Sequence, residues 1–278
     1  MLRTAGVQQL TERSTVDVLR ALDHDPVANC MVTARVENLG ASAAKLGAAL
    51  WTLDHPSQSL CYSGANMIPV HGSRQALSAF AERARRQPRV CSSLVGAAEL
   101  VLPMWDMLVQ WWGPARDVRP RQPLLVLRGA PQVRPDRHVR RVVPADLDAY
   151  LPAAVAMFTE EVGVDPCHPD GGRRYRRRVQ DVIAEGRAFA RFEDGAVVFK
   201  AEVGARSGKV GQIQGVWVHP ERRGAGLATP ATAAVTALVR SGGRMPSLYV
   251  NDYNTAARRV YQRVGFAQVA TFATVLLH

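Results

Sequence analysis

Apolar residues recur at helical spacing over 14–22, 26–39, 75–86 and 97–112. Short apolar runs bounded by turn residues fall at 50–53, 60–70, 90–95 and 123–127. A three-to-four-residue recurrence marks one face of a helix, whereas a short apolar run between turn residues fits a buried strand. Asp25 stands where a cap is needed and Pro26 suits a first helical turn, while Gly113 and Pro114 end the helix over 97–112. The first half therefore reads as alternating strands and helices. At 128–138, Gly129, Pro131 and Pro135 sit among arginines and mark a linker. Beyond it come a strand at 139–143 and a helical region at 145–161 that tolerates Pro152. A loop at 162–172 rich in Gly and Pro and a helix at 173–185 follow. Strands at 188–192, 196–203 and 210–218, joined by turns at Asp194–Gly195 and near Gly208, form adjacent antiparallel hairpins. A helix over 229–240, a strand at 247–250, a helix from Asn254 and a strand from Phe266 complete the pattern.

The 278 residues favour two modest domains, drawn as 1–130 and 139–278. No uncharged apolar stretch approaches the ~20 residues that cross a bilayer, and residues 1–15 lack the pattern of a secretion signal, so a cytoplasmic location is expected, with no membrane partner. Cys30, Cys61, Cys91 and Cys167 stand far apart without metal-ligand spacing, which predicts buried free thiols and no metal site. The net charge of +11 is carried almost wholly by arginine, with lysine only at 45, 200 and 209. Genomic base composition produces such a bias, so the charge does not argue for nucleic acid as a partner. Arg173, Arg174, Arg176, Arg177 and Arg178 form one true cluster, read as a solvated helix face, with an anionic ligand as the alternative. Trp105, Trp111 and Trp112 read as packing groups.

Chemistry shows in the segment Val216-Trp217-Val218-His219-Pro220-Glu221-Arg222-Arg223-Gly224-Ala225-Gly226-Leu227-Ala228, which leads into the helix from Thr229. A strand that turns through small residues into a helix can point several backbone N–H groups outward at the positive end of the helix dipole, an anion cradle. A Gly-rich turn of this kind also occurs without any ligand. Downstream, Asn254, Ala257, Tyr261, Gly265 and Phe266 stand at fixed spacing, with Gly265 placed as a helix C-cap and Phe266 as its anchor. Arg223-x-x-Gly226-x-Ala228 resembles the acyl-CoA signature of the GNAT superfamily. Asn254-x-x-Ala257-x-x-x-Tyr261-x-x-x-Gly265-Phe266 is similar to that family's C-terminal helix, in the family's order.

The resemblance covers about 139–278 and implies an α/β fold with a mixed, mostly antiparallel, V-shaped sheet flanked by helices. It implies acetyl-CoA as co-substrate and transfer of its acetyl group to a primary amine of a small molecule or peptide. Amides of Arg223, Gly224, Ala225, Gly226, Leu227, Ala228 and Thr229 would hold the pyrophosphate. The strand Val216, Trp217 and Val218 would offer backbone bonds to the pantetheine, with an amide near Val216 for the oxyanion. Asn254 would also contact CoA, and Tyr261 would protonate the leaving thiolate. Where some family members carry a basic carboxylate this chain has Gln212 and Gln214, so Glu202, His219 or a water chain is left to take the amine proton; Glu202 reads more readily as an exposed charge than as a base.

The strand–turn–helix–strand order of the first half, with His71, Gly72 and Ser73 at its turn, copies the second half without the cradle glycines. It is expected to be a degenerate copy in a tandem arrangement, or an unrelated accessory domain, completing a substrate cleft or a homodimer interface. Two further readings stand beside the acetyltransferase. One is a specialised tandem transferase, of the mycothiol-synthase kind or moving an aminoacyl group. The other is a nonenzymatic CoA-binding regulator.

Overall fold

A computed structural model describes residues 6–168 and 170–278; the first five residues and Pro169 of the 162–172 loop lie outside it. Chain order gives β1 (Gln8–Gln9), α1 (Thr15–Leu22), α2 (Cys30–Leu39), α3 (Ala43–Leu46), β2 (Ala49–Thr52), β3 (Leu60–Ser63), β4 (Asn66–His71), α4 (Arg74–Arg85), β5 (Ser93–Ala97), α5 (Ala98–Trp112) and β6 (Asp117–Val126). It continues with β7 (Arg140–Arg141), α6 (Leu147–Val162), α7 (Arg173–Ala184), β8 (Ala188–Glu193), β9 (Ala196–Arg206), β10 (Val210–Val218), α8 (Ala228–Ser241), β11 (Met245–Tyr249), α9 (Thr255–Val264) and β12 (Ala267–Leu276). Two compact units are interleaved along this order. The first holds residues through Leu125 with Tyr249–Tyr253 and Gln268–His278; the second holds Val126–Leu248 and Asn254–Ala267.

In the first unit the strand order is β1-β2-β3-β4-β5-β12-β6, with β4 and β5 parallel and the pairs β1–β2, β2–β3, β3–β4 and β5–β12 antiparallel. Successive side chains of a strand point to opposite faces, and the core divides accordingly. Leu50, Leu60 and Tyr62 pack with Val18, Leu22, Val32 and Val36 of α1 and α2. Trp51 and Cys61 pack with Leu77, Phe80, Val101 and Met104 of α4 and α5. A sheet covered on both faces reads as continuous apolar runs rather than alternation. The run 60–70 breaks at Ser63-Gly64-Ala65-Asn66 and folds as the hairpin β3–β4. The helix expected over 26–39 begins at Cys30, because the Asp25 carboxylate accepts from the amides of Val27 and Ala28 and holds a turn there. The last strand, β12, brings Ala273, Val275 and Leu277 into the α4–α5 core.

The second unit orders β11-β10-β9-β8-β7, antiparallel except for β10–β11. α6 and α7 cover β8 and β9 through Tyr150, Ala153, Met157, Tyr175, Val179 and Ile183. β10 pairs with β9 along its length, but with β11 only where Val210–Gln212 meets Met245–Ser247. Past Gln212, β11 no longer pairs with β10. There β10 carries a bulge: Gly215 and Val216 stand between Gln214 opposite Glu202 and Trp217 opposite Lys200. Gly215 has φ of +57°, a conformation that favours glycine at the bulge, and a Cβ on it would meet the flexible end of Met157, Cε at 2.9 Å.

Candidate functional site

The strand β10 runs into a 3₁₀ turn, Pro220–Arg222, and then through residues 223–227 into α8. Gly224 and Gly226 have φ of +77° and +78°, a conformation that favours glycine, and the space a Cβ would occupy at either is open. The first turn of α8 has no side-chain cap and no acidic residue. Among the described residues no backbone carbonyl accepts from the amides of Gly224, Ala225, Gly226 and Leu227. Pro230 occupies a first-turn position where an N–H would have no helical partner. Orphan amides at a helix N-terminus, exposed and unblocked, are the arrangement expected of an anion cradle. Arg223 does not share in it: its amide donates to Pro220 O at 3.2 Å.

The Arg223 side chain holds the loop instead. Its Nε donates to Val218 O at 3.0 Å and its Nη2 to Glu160 Oε2 at 2.7 Å, and Glu160 Oε1 also accepts from Trp217 Nε1 at 3.1 Å. Glu160 thus ties the end of α6 to both β10 and the cradle. Sequence reasoning passed over it, because a carboxylate on an exposed helical turn carries no local signal. The His219 amide bonds Val198 O and Trp217 faces Lys200, so Val216 and Val218 turn their backbone groups to the opposite edge, the one β11 has left. His219 stacks edge-on against Trp217, ring centroids 5.7 Å apart.

Asn254 caps α9, its Oδ1 accepting from the Ala257 amide at 3.1 Å, and Gly265 ends that helix in the left-handed conformation. Tyr261 lies between them, 6% exposed, its ring edge-on to Phe266. Burial, with a smaller push from the Glu161 carboxylate, raises the phenol well above its ordinary range, so it carries its proton at neutral pH.

Glu202 is neither an exposed charge nor a ready base. It is 3% exposed and opposes two cations, Arg178 Nη2 at 3.1 Å and Lys200 Nζ at 3.9 Å. Burial alone would raise its carboxyl, but the Lys200 ammonium and the Arg178 guanidinium outweigh it and hold the group below the usual range. The Lys200 ammonium, itself pulled down by burial, lies over the Tyr150 ring at 5.5 Å. Both Lys200 and Glu202 sit under the Gly215 bulge, each 3.2 Å from where a Cβ there would be. Lysine is rare in this chain, and one inside the run Val197-Val198-Phe199-Lys200-Ala201 was a visible signal. Gln212 is buried and Gln214 lies across the backbone of Gly204.

The arginine cluster on α7 is largely neutralised within the unit: Arg174 faces Asp170 at 3.7 Å, Arg176 faces Asp148 at 2.7 Å and Arg178 faces Glu202. That favours the solvated face over an anion site. Cys30, Cys61 and Cys91 are buried free thiols, whereas Cys167 is half-buried. Trp105 is core, but Trp111 is exposed beneath the Arg85 guanidinium, 4.4 Å from its ring centroid. No helix among the described residues is long and apolar enough to cross a membrane.

Comparison with known proteins agrees with this geometry. Residues 201–275 match the family described as FR47-like protein, and 48–150 match a domain of unknown function, DUF4081. A mycothiol acetyltransferase of Thermobispora bispora is 29% identical over 163 residues, 54% of this chain and 53% of that protein. One of Cellulomonas flavigena is 29% identical over 287 residues, 96% of this chain and 71% of that protein. This chain thus spans about half the length of the first relative and less than three quarters of the second. A solved tandem GNAT protein from the clavulanic acid biosynthesis pathway has the same fold, with a TM-score of 0.51, 15% identity and coverage of 97% of this chain and 98% of that one. Residues 201–275, which hold the turn into α8, the capped α9 and the parting of β10 from β11, are thus similar to the FR47-like family, and the chain has the fold of the solved tandem GNAT protein.

Proposed function

We propose that the chain is an acetyl-CoA-dependent N-acetyltransferase acting on a primary amine of a small molecule or peptide. The observation that carries the reading is the uncapped N-terminus of α8 behind Gly224 and Gly226, beside a strand whose edge is open. Amides of residues 224–229 would bind the pyrophosphate, and Val216 and Val218 would bond the pantetheine along the open edge. Asn254 would add a contact from its amide nitrogen, its oxygen being occupied by the cap. The acceptor amine attacks the thioester carbonyl carbon, an amide near Val216 stabilises the oxyanion, the C–S bond breaks and the departing thiolate takes the Tyr261 proton.

The base expected at Glu202 is revised. A carboxylate held low by two cations accepts a proton poorly, so Glu202 acts here as a positioning residue that fixes Lys200 and Arg178 under the bulge. The amine proton leaves through water. A second reading is favoured by the names of the two relatives: an acceptor of the mycothiol kind, handled by a tandem enzyme. A CoA-binding regulator without turnover is the third.

The test is CoA-thiol release from acetyl-CoA across a panel of primary amines, with Tyr261→Phe alongside. Turnover that falls roughly 10²- to 10⁴-fold in the variant, with acetyl-CoA affinity unchanged, supports the acid role. Acetyl-CoA binding without turnover on any amine supports the regulator.

A further inference from the structure

In the second unit a concavity of about 50 Å³ opens at the C-terminal end of α8, beside the end of β9 and the starts of β8 and β10. α8 has 14 residues, so at ~1.5 Å of rise per residue this end lies about 20 Å from the cradle at its N-terminus. Space of that size holds a few waters or one tetrahedral oxyanion. Phe189 and Val239 are apolar parts of the lining, and Arg141, Arg187, Arg206 and Arg244 bring four guanidiniums to it. Among the described residues no carboxylate lines it.

Three of the four guanidiniums are held in place by protein acceptors. Arg187 donates through Nε to Glu185 Oε2 at 2.8 Å and through Nη1 to Val203 O at 2.7 Å. Arg206 Nη1 donates to Glu185 O at 3.3 Å, and Arg244 donates through Nε to Ser207 O at 2.8 Å and through Nη1 to Gly242 O at 2.9 Å. Only the Glu185 carboxylate removes a charge, that of Arg187. A backbone carbonyl orients a guanidinium and leaves its charge standing, and Nη2 of each of the three stays unbonded among the described residues. Arg141 has no side-chain partner among them at all. The arginines on α7 differ, since Arg174, Arg176 and Arg178 each face an acid. Four like charges gathered on one concavity against a single carboxylate repel one another, and an anion there would relieve that repulsion. Forks already oriented by carbonyls also lose little freedom on binding it.

We propose that this concavity binds one small tetrahedral oxyanion, inorganic phosphate or the phosphoryl end of a small phosphomonoester, at a site separate from the cradle on α8. None of the large exposed apolar side chains lines it, which favours a free anion over a headgroup held in a bilayer.

Orthophosphate is the probe, titrated at constant ionic strength into the whole chain labelled with ¹⁵N-glycine. Gly186, Gly211 and Gly242 line the concavity, while Gly224 and Gly226 report the cradle in the same spectrum, so failure here is distinct from failure of the cradle. The first three amides should shift saturably with orthophosphate and stay still when chloride replaces it. Arg244→Gln should weaken that binding roughly tenfold, the scale for losing one hydrogen bond to a charged group. Arg141→Gln breaks no side-chain bond of the folded chain and should weaken it a few-fold. Resonances that stay fixed through the millimolar range, that shift equally in chloride, or that titrate identically in both variants overturn the proposal. Phosphatidylglycerol vesicles that move these amides where orthophosphate does not would overturn it too, by making the ligand a lipid headgroup. Should Arg244→Gln not fold, the wild-type resonances and Arg141→Gln decide it.

Discussion

Two strand-to-helix junctions in this chain have the same parts and opposite endings. In the first unit, β4 passes through His71, Gly72 and Ser73 into α4; in the second, β10 passes through residues 219–227 into α8. Both helices cross over to a strand parallel with the one they left, β5 and β11 respectively. At the first junction the helix end is closed: Ser73 Oγ accepts from the Ala76 amide, His71 Nε2 bonds Pro56 O at 2.7 Å, and a Cβ on Gly72 would meet the Ala76 methyl at 3.0 Å. At the second, no side chain caps the helix and two glycines face open space. The topology supplies a helix dipole at both places; a side-chain cap and a closely packed glycine stand at the first, and the second has neither. Fold alone therefore does not make the site; the local loop chemistry does.

The contrast can be broken at several points. The largest effect is expected under the second junction, where Glu202→Gln leaves Lys200 and Arg178 as uncompensated charges. Removing one partner of a buried pair costs about 3–5 kcal/mol, to be read from urea midpoints at neutral pH. The folded Glu202 carboxyl is depressed, so its contribution is fully present above the ordinary carboxylate pKa of ~4.3 and is lost as pH falls through the lower folded value. The gap between wild type and variant should close in acid. A gap that persists at low pH would contradict the ion-pair account.

Next comes Gly226→Val, which puts a branched side chain at φ of +78° into the open space that the proposed anion would fill. Acetyl-CoA affinity should fall roughly 100-fold, the equivalent of losing about two hydrogen bonds to a charged group. The smallest effect belongs to the closed junction: Ser73→Ala removes a helix cap at a cost of ~1 kcal/mol and should leave acetyl-CoA affinity unchanged. Gain of a second acetyl-CoA site in that variant would show that the cap alone keeps the first junction silent.

Much of this was legible beforehand where the signal is local. Gly265 as a C-cap, Asn254 at the start of α9 and the positive-φ glycines at 224 and 226 are each set by neighbours within a few residues, and each stands where the pattern put it. What escaped was set by distant partners. Glu202 looks like any strand carboxylate until Arg178 arrives from α7, and Glu160 is one acid among several until Trp217 and Arg223 turn toward it. The run at 267–276 states that it is a strand, but nothing in it says that it will pair with β5, nearly two hundred residues earlier. Its apolar residues would suit either sheet. Gly215 was the exception: an isolated glycine inside a strand pattern signals a bulge, and this one opens the edge on which the proposed cofactor path depends.

The most direct measurement is a calorimetric titration of acetyl-CoA into the intact chain, run in parallel on Gly226→Val and Ser73→Ala. The account predicts one site per chain, weakened in the first variant and untouched in the second. No binding by the intact chain, or equal binding by Gly226→Val, would contradict it.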